Sequence, residues 1–96
     1  MNIIINGITY KVEIVEEVSL DGCIGTCDPE KQLIQVKKSL NKEQRRKTFL
    51  HELAHAYMFC YGFSDVKFNT ETICNFIGVY LESMAEHLEE FIKAYE

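Results

Sequence analysis

The apolar residues of this chain change their spacing near residue 40, and this change constrains the fold more than any other feature. Before it they alternate with polar residues, as at Tyr10, Val12 and Ile14, which is the pattern of a strand with one buried face. After it they recur every three or four positions, as in amphipathic helices. The sequence therefore predicts an α+β fold, with a small, mostly antiparallel sheet of three or four strands followed by two helices.

Local turn signals divide the first half into strands. Asn6-Gly7 suits a two-residue type I′ hairpin turn, which needs positive φ at both positions. The Asp-Pro-Glu-Lys segment at 28–31 predicts a second turn, because proline has the backbone angle that such a turn requires. The predicted strands lie near residues 2–5, 8–15, 23–26 and 32–37.

Two helices are predicted in the second half. The first covers about 42–61, since Asn41 and Gln44 have the spacing of a capping box and Gly62 suits the position after a helix. The second covers about 70–95, and a chain of 96 residues has room for one domain, 1–96. The second helix carries an apolar stripe that is expected to be its packed face: Ile77, Leu81, Met84, Leu88, Phe91 and Tyr95.

Composition narrows the cellular setting. No apolar run approaches the roughly 18 residues that cross a bilayer, and the first ten residues lack the features of a secretory signal. The four cysteines are therefore expected to be reduced thiols in a cytoplasmic protein, with Cys23 and Cys27 packed on one strand face. Six basic residues lie between 37 and 47, but the net charge of −5 argues against nucleic-acid binding and favours a solvated helix face.

The segment His51-Glu52-Leu53-Ala54-His55 is the strongest functional signal. Residues four apart on a helix lie one turn above each other, so the imidazoles of His51 and His55 can bind one zinc ion. Glu52 then points about 100° around the helix and can act as general base on a metal-activated water. Because apolar residues surround this turn, the histidines are expected to be semi-buried, where imidazoles without a partner are costly.

A third protein ligand must come from elsewhere in the chain. Glu71 is favoured because it opens the second helix, and Asn75, four residues later on the same face, is expected to hydrogen-bond a ligand histidine. Asp65 and Cys74 are the competing ligands, although Cys74 is expected to be a small buried residue. His87 lies sixteen residues beyond Glu71 and is expected to face solvent.

The segments 49–56 and 71–76 together resemble the ImmA/IrrE-type metallopeptidases, small gluzincin-like zinc proteins common in phages and mobile elements. The resemblance covers roughly residues 20–85. It implies a minimal zincin-like fold, zinc ligands at His51, His55 and Glu71, and Glu52 as the catalytic base. It also implies a protein substrate, such as a transcriptional regulator of a mobile element.

The sequence thus predicts a zinc metalloendopeptidase acting on a protein partner. A substrate is expected to pair with the strand at 32–37, taken as a sheet edge. The alternative is a zinc-stabilised binding module that antagonises a repressor without proteolysis. The sequence leaves the oligomeric state, the substrate and the cleavage site open.

Overall fold

The computed structural model describes residues 1–63 and 68–96, and it contains four strands followed by two helices. This order confirms the predicted α+β class. The elements are β1 (Asn2–Ile5), β2 (Ile8–Val15), β3 (Gly25–Asp28), β4 (Leu33–Lys37), α1 (Lys42–Cys60) and α2 (Thr70–Tyr95).

The four strands form one mixed sheet in the order β1-β2-β4-β3. The β1·β2 and β3·β4 pairs are antiparallel, as expected, but β2 and β4 are parallel. The chain leaves β2, forms β3 on the far side and returns through a tight turn into β4, which places β4 inside the sheet. The prediction that residues 32–37 form an edge strand is therefore wrong, and the edges are β1 and β3.

The first hairpin turn confirms a prediction, whereas the start of the third strand corrects one. Asn6 and Gly7 have φ angles of 49° and 77°, as a type I′ turn requires. The third strand begins at Gly25 rather than near residue 23, because its register is fixed by the Gly25 pairing with Val36 on β4. Cys23 therefore lies before the strand, and it does not share a strand face with Cys27.

One face of the sheet carries the core. Apolar residues of three strands are buried there, whereas Ile4, on the opposite face of β1, is 64% exposed. Helix α1 crosses the apolar face and contacts β1, β3 and β4. The buried residues of this layer are Ile3, Ile5, Tyr10, Val12, Ile34 and Val36 from the sheet, and Phe49, Leu53, Ala56 and Tyr57 from α1.

The start of α1 is fixed by the predicted capping box. The Gln44 backbone N–H donates to Asn41 Oδ1 at 2.9 Å, and the Asn41 N–H donates to Gln44 Oε1 at 3.4 Å. Asn69 caps α2 in a simpler way, accepting from the Thr72 N–H at 2.9 Å. Both caps lie directly before helices that begin at residues 42 and 70, as predicted.

Helix α2 packs on α1 through part of its predicted stripe. Met84 and Phe91 are buried, and Phe91 stacks on Phe49 with ring centroids 4.4 Å apart. Ile77 and Leu81 are 49% and 58% exposed, which corrects the expectation that these two residues belong to the packed face. In the N-terminal half of α2, the side chains that face the core are those of Phe76 and Tyr80, which pack around Phe63.

Acidic partners neutralise much of the basic segment at 37–47. Lys38 lies 3.3 Å from Glu16, and Arg46 lies 2.6 Å from Glu96.

All four cysteines are unpaired thiols. In the described part of the chain, neither helix combines the length and the hydropathy that a membrane span needs.

Candidate metal centre

Helix α1 brings three side chains with metal-ligating atoms together. The rings of His51 and His55 lie one turn apart, with centroids separated by 4.9 Å and ring planes inclined at 71°. One ligand atom each from His51, Glu52 and His55 lie within 4.8 Å of one another. This juxtaposition follows from helix geometry alone, which is why the sequence spacing predicted it.

The three side chains differ in burial. His51 and His55 are exposed, whereas Glu52 is only 7% exposed. The expectation of semi-buried histidines is therefore wrong, because Phe49 and Leu53 fill the core whereas the imidazoles line an open cavity. The imidazoles are not buried, so they do not require a metal as a partner. The observation that supports a metal site is the clustering of three ligating atoms.

Glu52 lies on the side of α1 that faces the sheet. Burial raises the pKa of its carboxyl above the ordinary value, and the imidazoles of His51 and His55 act in the opposite direction. A carboxylate with a raised pKa is a better proton acceptor than an exposed one, which is the property required of a general base.

Gly25 on β3 allows the sheet edge to approach this carboxylate. A Cβ atom at Gly25 would lie 3.3 Å from Glu52 Cγ and 3.2 Å from the Gln35 carbonyl oxygen, and it would collide with the Thr48 methyl group. Gly25 belongs to none of the motifs predicted from the sequence. A glycine inside a strand, which often marks a close approach of another group, is the signal that was present.

A cavity of about 650 Å³ opens beside the three side chains. His51, Glu52 and His55 form one of its walls, and β3 borders it. The remaining lining is mostly apolar, with Leu20, Cys23, Thr26, Cys27, Pro29, Met58, Phe59, Phe63 and Phe68. A second cavity of about 460 Å³ shares His51 and Glu52 and lies toward the start of α1.

Two cysteines line the larger cavity without joining the cluster of ligating atoms. Burial raises the pKa of the Cys27 thiol to about 12, and the Glu52 carboxylate adds to the shift. Cys27 is not part of the cluster of ligating atoms that the described residues form. Cys23 is half-buried at the cavity, and its predicted position on a strand is wrong.

The predicted ligands outside α1 lie apart from the cluster or outside the described residues. Glu71 and Asn75 are exposed in the first turns of α2, and Glu71 is absent from the cluster that the described residues form. The roles of Glu71 and Asn75 stay predictions. Cys74 is exposed, so its expected burial is wrong. Asp65 lies outside the described residues.

His87 corrects another expectation. Its side chain is only 12% exposed rather than facing solvent, and Nδ1 lies 3.6 Å from Glu90 Oε1. The ring packs edge-on against Tyr57, with centroids 6.2 Å apart. The cause is the orientation of α2, which turns His87 toward α1. His87 is therefore part of the helix interface and not of the metal cluster found among the described residues.

Comparison of the chain with protein-family models, curated proteins and solved structures finds no match. The resemblance to ImmA/IrrE-type metallopeptidases therefore stays a prediction, carried by the two helical motifs. The geometry of His51, Glu52 and His55 is the observation from which a function can be argued.

Proposed function

We propose that this chain is a zinc metalloendopeptidase of the ImmA/IrrE type that hydrolyses a peptide bond in a protein partner. The observation that carries the proposal is the cluster on α1, where donor atoms of His51, Glu52 and His55 lie within 4.8 Å of one another beside a cavity. Imidazole nitrogen and carboxylate oxygen are the ligand types that zinc takes in hydrolytic sites.

The donor set fits zinc. His51 and His55 are exposed on the cavity side, so their rings can turn toward a cation without breaking core packing. Glu71 is proposed as the third ligand and Asn75 as a hydrogen-bond partner of a ligand histidine, on the basis of the sequence motif. A bound zinc ion supplies Lewis-acid polarisation of the scissile carbonyl and of a water molecule.

Glu52 performs the proton transfers in this proposal. Its carboxylate takes a proton from the attacking water as the new C–O bond forms, and it delivers the proton to the amide nitrogen as the C–N bond breaks. The burial that raises the pKa of Glu52 strengthens its basicity. His51 and His55 hold the cation, so the metal ligands and the general base are different side chains.

Strand β3 gives an extended substrate a place to bind. Among residues 1–63 and 68–96 it is an edge strand that pairs with β4 alone, and it borders the cavity through Gly25, Thr26 and Cys27. The backbone groups of an edge strand can pair with an added chain. Substrate pairing is therefore proposed along β3, in place of the segment 32–37.

The partner and the compartment are part of the same proposal. We infer a protein substrate such as a transcriptional regulator of a mobile element, by the resemblance of the helical motifs. A cytoplasmic location is supported by the unpaired thiols of all four cysteines, which are typical of a reducing compartment.

The test compares the zinc-loaded protein with its Glu52→Gln variant on a peptide library, with new amino termini identified by mass spectrometry. The variant is expected to keep its zinc and to lose at least about 100-fold of the cleavage rate, because the general base is removed. Glu82→Gln, an exposed change on α2, is the matched control and should cleave normally. Cleavage by the Glu52→Gln variant at the control rate would contradict the mechanism.

A second candidate function is a zinc-stabilised binding module without hydrolysis. It is favoured by the position of Glu52, whose carboxylate oxygen is close enough to both imidazoles to serve as the third ligand itself. In that case Glu52 is not available as a general base. The same Glu52→Gln variant separates the two functions, because a ligand role predicts weaker zinc binding and a base role predicts unchanged zinc binding.

A further inference from the structure

The larger cavity has two chemically different walls. His51, Glu52 and His55 form the polar wall. The other wall, which we term the apolar wall, consists of Leu20, Met58, Phe59, Phe63 and Phe68. The volume of about 650 Å³ lies within the range of roughly 300–1,000 Å³ that is typical of ligand-binding pockets.

Large apolar side chains of this wall are left in contact with water. Leu20 is 61% exposed, Phe59 is 51% exposed and Phe68 is 39% exposed. Exposed apolar area that is grouped in a concave surface lowers its free energy when an apolar group covers it. The wall therefore favours an apolar occupant.

The polar groups of the cavity restrict the occupant further. Among the described lining residues there is no lysine, arginine or aspartate, and the acidic side chain present is Glu52. A charged side chain entering the cavity would lose hydration without gaining an ionic partner on the apolar wall. Acidic residues are thus disfavoured at this position of a substrate, because the ionic side chain among the described lining residues is itself acidic.

The sheet edge favours a polypeptide as the occupant. Gly25, Thr26 and Cys27 of β3 line the same cavity, and in the described part of the chain β3 has a partner strand on one side only. An extended chain that pairs with β3 places alternate side chains on one side, so one of them enters the cavity while its backbone passes the polar wall.

We propose that the cavity is a specificity pocket, which selects polypeptides carrying a large aromatic or aliphatic side chain next to the bond that faces His51 and His55. The position of that bond rests on the proposed function. The preference for a large apolar side chain rests on the apolar wall and on β3, and it can be measured without cleavage.

The chain contains no tryptophan, so a tryptophan in a peptide is a clean fluorescent reporter of binding. The probe is a capped alanine–glycine peptide with one central tryptophan, titrated with the zinc-loaded Glu52→Gln protein. Peptides with leucine, alanine or aspartate at the centre compete for the site. We expect the tryptophan and leucine peptides to bind at least about tenfold more tightly than the other two.

Matched variants locate the binding. Phe59→Ala and Leu20→Ala remove exposed parts of the apolar wall, so the fold should be kept, and each is expected to weaken tryptophan-peptide binding by about fivefold or more. Val79→Ala and Ile4→Ala remove apolar side chains that are 67% and 64% exposed outside the cavity. Binding by these two controls should match that of the parent protein.

Equal affinity for all four peptides, or tryptophan-peptide binding that survives both Phe59→Ala and Leu20→Ala, would overturn the specificity pocket. The outcomes also separate this inference from the proposed function. If the affinity order holds but the wild-type protein cleaves none of the peptides, the pocket stands and the peptidase proposal falls. If the wild type cleaves all four equally, the peptidase proposal stands and the pocket falls.

Discussion

At the scale of single residues, Glu52 and its two histidine neighbours share one wall of the cavity but differ in burial. Glu52 is buried against the sheet edge, whereas His51 and His55 are exposed on the cavity. A carboxylate that is held out of water becomes more basic, and imidazoles that remain accessible can still turn toward a cation. This difference in burial gives each side chain the environment that its proposed task requires.

The buried carboxylate should make stability depend on pH in the metal-free protein. The folded-state pKa of Glu52 is raised, so the folded protein loses stability as pH rises from the unfolded-state value, about 4.3, through the raised value. Metal-free Glu52→Gln should therefore be more stable than metal-free wild type at neutral pH, by about 1 kcal/mol, and equally stable below the unfolded-state pKa. Urea unfolding at both pH values measures this, and a variant less stable at neutral pH would contradict it.

Gly25 is the second residue on which the site depends. Gly25→Ala should destabilise the protein by about 1–3 kcal/mol, because the added methyl group meets Thr48, Glu52 and the Gln35 carbonyl. Gly78→Ala is the matched control, since a Cβ there meets nothing within 4 Å and alanine favours a helix by about 0.5–1 kcal/mol. Urea unfolding should shift in opposite directions for the two variants, and an unchanged Gly25→Ala midpoint would refute the close approach.

At the scale of elements, local signals in the sequence were sufficient where the stabilising contacts are local. The Asn41–Gln44 capping box and the Asn6-Gly7 turn involve neighbours in the chain, so both could be predicted from short segments. The parallel pairing of β2 with β4 joins segments separated by β3, and no periodicity encodes it. For the same reason β4 was predicted at the sheet edge, although it lies inside.

Helix α2 shows a related limit. Its period of three to four residues correctly predicted a helix, but the period does not determine which side of the helix meets the core along its whole length. Packing of Phe76 and Tyr80 against Phe63 sets that side near the start of α2 and leaves Ile77 and Leu81 exposed. The burial of His87 could not be predicted for the same reason, because the helical period does not show which side of α2 faces α1.

The contribution of α2 to the metal centre is testable through Glu71. If Glu71 is the third ligand, Glu71→Gln should weaken zinc binding by more than about tenfold, because a neutral amide is a poorer ligand than a carboxylate. Glu82→Gln on the same helix is the matched control and should bind zinc as the wild type does. Competition with a chelator measures both affinities. Equal affinity in the Glu71→Gln and Glu82→Gln variants would remove Glu71 from the site.

At the scale of the whole molecule, hydrogen bonds join the C-terminal end of α2 to the N-terminal segment and to β2. The Tyr95 hydroxyl donates to the Val12 carbonyl at 2.6 Å and accepts from the Met1 amino group at 2.9 Å. Glu96 forms a two-pronged ion pair with Arg46 on α1. These contacts join the sheet and both helices at the end of α2.

The sequence predicted the part of the candidate site that lies on one helix, and it did not predict the parts that distant segments bring together. Two histidines and a glutamate on a single helix need only helix geometry to meet, so the sequence spacing was enough. The cavity and the edge strand β3 depend on how distant segments pack, and no local pattern in the sequence predicts them. For Gly25, a glycine inside a strand indicates a close approach but does not identify the group that approaches. The chemical group was therefore predictable and its surroundings were not.

Zinc titration of protein purified without a histidine tag tests whether His51 and His55 bind a zinc ion together. We expect about one equivalent of zinc for the wild type, a loss of more than about tenfold in affinity for His55→Ala, and retained binding for His87→Ala. His87 lies outside the cluster that the described residues form and serves as the matched control. A wild-type protein that takes up no zinc, or a His55→Ala variant that binds it as tightly as the wild type, would show that the two histidines do not form a zinc site.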